Sequence, residues 1–311
     1  MRFGTGKSGP KKLSLGICAL AFGGFFMAAS AHAQSLKLEG TDRPIDVTAD
    51  GGFELQQDNK RVIARGNAKA VQGEVTVMGD ELIADYRTKS DGSNEVYRVF
   101  VNGNVTMKSA SETATGEAAI YDFDKGVLVL EGKDISLINP EGSVTAHRAL
   151  QYWANERVAV AEGAAMAEDK DKRRLYADKL IAFFKPDPSA AAGSPALNRG
   201  RGDISLLQGF GNVRMETAKE VVRGERGTYN LETGIATLDG AVKITQNNSQ
   251  LGGGFAVVNV KGGTSRIYAS AKDAGMQGVR ENGRVSALIA PSTKQTPVPA
   301  DAAPAANKGK Q

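Results

Sequence analysis

Apolar and polar residues alternate along most of this 311-residue chain, and the alternation recurs in six similar copies. Each copy opens with a glycine. After 13 or 14 residues comes an eight-residue block with a small first residue and mostly apolar residues at positions four, six and eight. The glycines are Gly66, Gly103, Gly132, Gly163, Gly211 and Gly240, and the blocks are GDELIADY (79–86), GEAAIYDF (116–123), AHRALQYW (146–153), ADKLIAFF (177–184), GERGTYNL (224–231) and GGFAVVNV (253–260). Period-2 alternation is typical of half-buried β-strands, and this spacing indicates stacked supersecondary units.

The sequence between the blocks carries turn signals. The tetrapeptides FDKG (123–126), WANE (153–156) and LETG (231–234) supply the Asp, Asn and Gly of tight reversals. The repeated glycines are expected to mark bulges where the sheet bends. In the block 146–153, Gln151 is expected to interrupt the inward face. The pattern predicts an all-β protein of roughly 14–18 short strands.

Composition divides the chain into three parts. Residues 1–33 combine a basic start, an apolar run and the A-x-A site Ala31-His32-Ala33, which predicts a cleaved signal peptide and an exported chain that starts at Gln34. A retained membrane anchor is the alternative. Residues 34–290 are expected to form one domain with a loop insertion at 185–202. The Pro/Ala/Lys-rich stretch 291–311 is expected to be a disordered tail.

The remaining composition argues against several function classes. Four of the 39 Lys and Arg residues and none of the 35 Asp and Glu residues lie in the signal segment, so the charges balance in the rest and no nucleic-acid partner is implied. Cys18 lies in the same segment, which leaves the expected mature chain without cysteine and with His147 as its only histidine. Catalytic motifs are not recognisable. We therefore expect no enzyme activity, no metal site and no cofactor.

The motifs Gly103-Asn104-Val105 and Gly211-Asn212-Val213, with blocks opening in Gly79-Asp80 or Ala177-Asp178, resemble the OstA-like family of lipopolysaccharide transport. The resemblance covers about residues 45–260, and more weakly extends to about 290. It implies a twisted, open β-jellyroll of stacked antiparallel strands whose apolar interior shields acyl chains. The A-x-A site and the chain length favour resemblance to the soluble periplasmic member. That member joins inner-membrane anchored and outer-membrane OstA-like components.

The candidate lipid-binding residues are apolar residues of the central units that share strand parity. They are Val105, Met107, Phe123, Leu128, Leu130, Val213 and Met215. Moving an acyl chain through water costs about 0.8 kcal/mol per methylene group, so a carrier needs a continuous apolar lining. The alternative is that these side chains simply pack against each other. The charged run 168–174 is expected to be a solvated hairpin tip, with contact to lipid phosphates as the second interpretation.

Two other function classes remain open from the residues alone. One is a structural β-repeat protein, and the other is a carbohydrate-active exported protein with a parallel β-helix. An open stack of strands leaves unpaired edges, here near 45–55 and 265–289. These edges are expected to pair head-to-tail with like-folded partners or with a second copy.

Overall fold

The computed structural model describes residues 45–186, 203–218, 220–246, 249–276 and 284–289. The predictions for the signal peptide, for the tail and for most of the insertion at 185–202 lie outside these residues. The described part contains 18 strands and one short 3-10 turn at Lys272–Ala274. The all-β prediction is therefore confirmed. The strands are β1 (Asp46–Thr48), β2 (Phe53–Gln56), β3 (Arg61–Gln72), β4 (Val75–Thr88), β5 (Asn94–Lys108), β6 (Thr113–Asp122), β7 (Val127–Glu131), β8 (Ile135–Asn139), β9 (Gly142–Ala146), β10 (Ala149–Trp153), β11 (Val158–Asp169), β12 (Arg174–Phe184), β13 (Ile204–Glu216), β14 (Glu220–Asn230), β15 (Ile235–Gln246), β16 (Ser249–Asn259), β17 (Thr264–Tyr268) and β18 (Ser286–Leu288).

The strands form one antiparallel meander. From β3 to β6 and from β11 to β16, each long strand pairs with the next strand in the chain. In the middle, β7 and β8 lie end to end beside β6, and β10 and β9 lie end to end beside them. Each terminal edge is likewise made of two short strands, β1 and β2 beside β3 and β17 and β18 beside β16.

The repeated glycines lie where the long strands bend. In β5, Gly103 (φ 72) and Asn104 (φ 47) lie between the pairs Asn102–Ala118 and Val105–Gly116, so two residues face one residue of β6. The same bulge occurs in β3, β11, β13 and β15. The sixth glycine, Gly132, lies in the break between β7 and β8. Bulges bend a strand and increase its twist, as predicted from the sequence.

Because five long strands carry a bulge at this level and the short strands break near it, the meander becomes two half-sheets that face each other. Buried residues from before and after the bulges pack together, for example Val101 with Val105 and Met107 in the N-terminal part. A second apolar cluster fills the C-terminal part. Leu150 packs against both clusters, so the apolar interior runs through the break region without interruption. This arrangement is the open jellyroll that the sequence predicted.

The prediction for Gln151 is wrong. Leu150 and Tyr152 point into the apolar clusters, and Gln151 pairs with Val129 and Val160 on the outer face. The cause is one extra residue in the break between β9 and β10. Ala146 and Leu150 both face inward four positions apart, whereas Gly79 and Leu82 of the first block share the inward face three positions apart.

The outer face is held by cross-strand ion pairs. Arg61 contacts the carboxylate of Asp85 at 2.6 Å, and Arg98 contacts that of Asp122 at 2.8 Å. Burial raises the pKa of Asp122, but the backbone N–H of Lys125 and the Arg98 guanidinium outweigh it, and the net pKa is lowered. A lowered folded-state pKa stabilises the fold above the unfolded-state pKa, and this stability is lost as the pH falls through the folded value.

We therefore expect Asp122→Asn to lower the free energy of unfolding by about 1–3 kcal/mol at neutral pH, because it removes a charge-assisted hydrogen bond to Arg98. The variant should also show a smaller loss of stability on acidification. Urea unfolding between neutral and acidic pH measures both effects. Asp124→Asn, at an exposed ion pair with Arg87, is the control. An equal response of the two variants would contradict this assignment.

Candidate functional site: the interior between the half-sheets

All seven candidate residues lie on the interior side of the half-sheets. Val105 is only 1% exposed and packs with Met107 and Leu130 in the N-terminal cluster. Val213 belongs to the C-terminal cluster, and Met215 is half-buried against it. Phe123 and Leu128 are half-buried against an aromatic cluster formed by Tyr121, Tyr152 and Ala154. The parity argument thus placed these side chains on one surface, and lipid contact with them stays a prediction.

The Gly-Asn bulges aim Val105 and Val213 into this interior. The side-chain amide of Asn104 donates hydrogen bonds to both carboxylate oxygens of Asp80, at 3.1 and 2.9 Å. Asn212 makes the same pair of bonds to Asp178, at 3.2 and 2.9 Å. The acidic residue at the second block position therefore fixes the bulge of the neighbouring strand. This contact gives a physical reason for the motif that carried the family resemblance.

The structure adds a partial copy that sequence reasoning missed. The amide of Asn67 donates to the carboxylate of Asp50 at 2.9 Å, as Asn212 does to Asp178. Ala49-Asp50 thus corresponds to the block opening Ala177-Asp178 and supplies the partner for the first bulge. The available signal was this dipeptide, which stands 17 residues before the first Gly-Asn pair.

The aromatic cluster closes one side of the interior near the hairpin turns. The rings of Tyr121 and Phe123 lie 4.3 Å apart, and those of Tyr152 and Phe184 meet edge to face at 6.0 Å. Burial, and secondarily the charge of Asp122, raises the pKa of the Tyr121 phenol, so this group stays neutral. The residues of all three clusters are apolar or aromatic. Such a surface can bind hydrocarbon.

The half-sheets touch along the interior in this structure. The largest side chains with less than 2% exposure are Ile135, Val105, Val222 and Val242, which come from both the N-terminal and the C-terminal cluster. Alanines such as Ala68, Ala165 and Ala256 are fully buried and bring the half-sheets close together. A bound chain must therefore separate these contacts rather than enter an open channel.

The interior face becomes exposed at the two terminal edges. Phe53 and Leu55 of β2 pair with the inward residues Ala64 and Val62, yet they are 58% and 57% exposed. At the other end, Leu251 of β16 pairs with the inward residue Ile244 and is 37% exposed. The edges predicted near 45–55 and 265–289 are thus edges in the structure, since β1, β2, β17 and β18 each pair on one side among the described residues.

The charged run 168–174 forms the hairpin between β11 and β12, as predicted. Its cations already have carboxylate partners, which disfavours the second interpretation of a phosphate contact. The pairs are Lys170–Glu141, Lys172–Glu168, Arg173–Asp169 and Arg174–Glu168. His147 is exposed in the break between β9 and β10. The described residues contain no cluster of His, Cys, Asp or Glu side chains that could hold a metal ion. They also contain no helix with the length and hydropathy that a membrane span requires.

Comparison with known proteins supports the family assignment for the N-terminal part. Residues 46–157 match the model of the LptA/(LptD N-terminal domain) LPS transport protein family. An uncharacterized protein of Rhizobium meliloti (strain 1021) is 29% identical over 127 residues, which are 40% of this chain and 67% of that protein. The match supports the OstA-like resemblance over residues 46–157.

A solved structure is similar over a longer range. LptH, the LptA homologous periplasmic component of the lipopolysaccharide transport device of Pseudomonas aeruginosa, shares 14% identity, and the alignment covers 80% of this chain and 96% of that one. The TM-score is 0.21. Beyond residue 157, the bulges of β11, β13 and β15 repeat those of β3 and β5.

Proposed function

We propose that this protein is a periplasmic carrier that binds lipopolysaccharide and passes it from the inner to the outer membrane, with the acyl chains between the two half-sheets. The observation that carries the proposal is the apolar interior, which continues through Leu150 and reaches both terminal edges. The OstA-like match over residues 46–157 supports the same class of cargo. The role is binding and transfer, without enzymatic chemistry.

The interior supplies what a hydrocarbon chain needs. Each methylene group removed from water contributes about 0.8 kcal/mol, so even part of one acyl chain gains several kcal/mol on entry. Met107 and Met215 are flexible and polarizable, and such side chains adapt to irregular apolar ligands. The exposed Phe53 and Leu55 continue the same surface to the edge.

Binding proceeds by separation of the half-sheets. The long strands are least constrained at the bulges, where a residue pair such as Gly103-Asn104 leaves the regular ladder. A change of angle at this level moves one half-sheet away from the other and leaves the strand pairing within each half intact. Acyl chains then replace the contacts between Val105, Met107 and the facing Val101. This movement exchanges one set of apolar contacts for another, so its net cost is small.

A photo-crosslinking amino acid at Met107 or Ile244 is expected to capture lipopolysaccharide in the intact protein. The same group at Thr106 or Thr245 should capture severalfold less, because these neighbours point to the outer face while Met107 and Ile244 are buried inside. The readout is lipid-shifted protein on a gel. The pairs are matched in strand, depth along the half-sheet and sequence context. Equal capture on both faces would overturn the proposed binding surface.

We further propose that the two terminal edges join this protein to the inner-membrane anchored and outer-membrane OstA-like components, and to second copies of itself. A strand added to β2 extends the half-sheet and covers Phe53 and Leu55, which are otherwise exposed to water. The paired edges of one chain and the next make the apolar interior continuous. Cleavage before Gln34 releases the chain into the periplasm, and intact mass of the exported protein tests that step.

A further inference from the structure

The outer face of the C-terminal part carries three basic residues side by side. Arg214 of β13 pairs in register with Arg223 of β14, and Arg223 pairs in register with Lys243 of β15. All three point away from the interior, because their neighbours Val213, Val222 and Val242 are buried in the C-terminal cluster. We call Arg214, Arg223 and Lys243 the basic row. Adjacent strands lie about 4.8 Å apart, so the row spans about 10 Å at its base.

The basic row differs from other places in this sheet where charged residues meet in register. At several of these places an outward cation faces a carboxylate on the neighbouring strand. Examples in register are Arg61–Asp85, Arg98–Asp122, Lys179–Glu162 and Arg226–Asp239. Like charges placed directly opposite each other destabilise a sheet. In the basic row, Arg223 has a cation on both sides, so the unliganded sheet carries a repulsion that it avoids at those places.

The surroundings of the row relieve this repulsion only at one end. Arg214 stacks on the ring of Tyr176 at 4.1 Å and pairs with the carboxylate of Glu216 at 2.6 Å. Arg223 and Lys243 are exposed, and no carboxylate of the described residues lies within ion-pair distance of either. Two cations are thus held on a rigid sheet without a counter-ion, beside a third whose guanidinium is fixed in place by its neighbours.

We propose that the basic row is a binding site for phosphoryl groups, formed by Arg223 and Lys243 with Arg214 at its end. Guanidinium groups bind phosphate oxygens through paired N–H donors, and a lysine ammonium adds a point charge. A ligand with two or more neighbouring phosphoryl groups matches cations one strand spacing apart. The source of these groups is either a free polyphosphate or the headgroup of a phospholipid. This site lies on the opposite face of the sheet from the proposed acyl-binding interior and does not depend on it.

The test uses the full-length purified protein and inorganic tripolyphosphate, with affinity measured by calorimetry at low salt. Arg223→Gln is expected to weaken binding about tenfold, the loss of one charge-assisted hydrogen-bonding group. Arg226→Gln is the matched control, since it removes the same charge three residues away on β14, where the arginine already pairs with Asp239 at 3.0 Å. The control should weaken binding less than about twofold through net charge alone.

Thermal melting adds a readout that does not need binding data. Without ligand, Arg223→Gln should melt at or above the temperature of the natural sequence, because it removes a like-charge contact, while Arg226→Gln should melt lower.

Flotation with phosphatidylglycerol vesicles against phosphatidylcholine vesicles identifies the source of the phosphoryl groups. Arg223-dependent binding to anionic vesicles alone supports a lipid headgroup, and binding to tripolyphosphate alone supports a free polyphosphate. The proposal is overturned if neither probe binds, or if both variants lose affinity equally.

Discussion

Gly103→Ala is expected to lower the free energy of unfolding by about 3 kcal/mol. Gly103 has φ 72, a left-handed conformation that costs an alanine about 1–2 kcal/mol. A Cβ added there would also lie 2.7 Å from Cγ and 2.9 Å from Cβ of Asp80, so the hydrogen-bonded carboxylate must move. Overpacking of this kind adds about 1–3 kcal/mol. Chemical denaturation of the purified variant measures the change.

Gly92→Ala separates the two causes. Gly92 has φ 84, but nothing lies within 4 Å of the Cβ that alanine would add. This variant carries only the backbone strain and should cost about 1 kcal/mol. In an Asp80→Ala background, the effect of Gly103→Ala should fall part of the way toward that value, since this substitution removes Cγ of Asp80 but keeps its Cβ, at 2.9 Å from the added Cβ. Equal costs at Gly92 and Gly103 would show that Asp80 does not constrain the bulge.

The sequence predicted much of the fold because its repeated signals are local. The turn tetrapeptides and the repeated glycines fix where strands end and where they bend, and the structure has reversals and bulges at those places. The break at 147–148 was missed because one extra residue turns Leu150 inward and Gln151 outward without changing the composition of the block. Only the register with β7 and β11 reveals it.

The sequence was enough to predict which residues line the candidate site, but not whether the two half-sheets are in contact there. Strand parity placed Val105 and Met107 on the interior side, because alternation alone decides which face a residue occupies. Parity does not determine the distance between two half-sheets, which depends on long-range packing around Ile135 and Val222. The basic row was invisible for a similar reason, since Arg214, Arg223 and Lys243 are far apart in sequence and meet only through strand register.

The second large effect is expected at the terminal edges of the sheet. Ala287→Pro in β18 is expected to abolish self-association, and Leu55→Pro in β2 to do the same. Proline removes a backbone N–H and its ring obstructs the addition of a strand. Both positions lie at the ends of the meander, so the central fold should remain. Sedimentation velocity over a range of concentrations measures assembly, and near-unchanged β-sheet circular dichroism verifies folding. Ala287→Ser retains the N–H and should still associate.

Mixing the two proline variants distinguishes head-to-tail assembly from the alternatives. In a head-to-tail contact, the β17–β18 edge of one chain meets the β1–β2 edge of the next, so each variant keeps one intact edge of opposite kind. The mixture should therefore form a one-to-one dimer that cannot grow, although neither variant associates alone. A contact between two identical edges would instead leave one variant, the one in which that edge is unmodified, able to form dimers alone. If both variants are monomeric separately and stay monomeric when mixed, or if the natural sequence is monomeric at every concentration, self-association through these edges is wrong. The interior exposed at Phe53 and Leu55 must then be covered by a different partner.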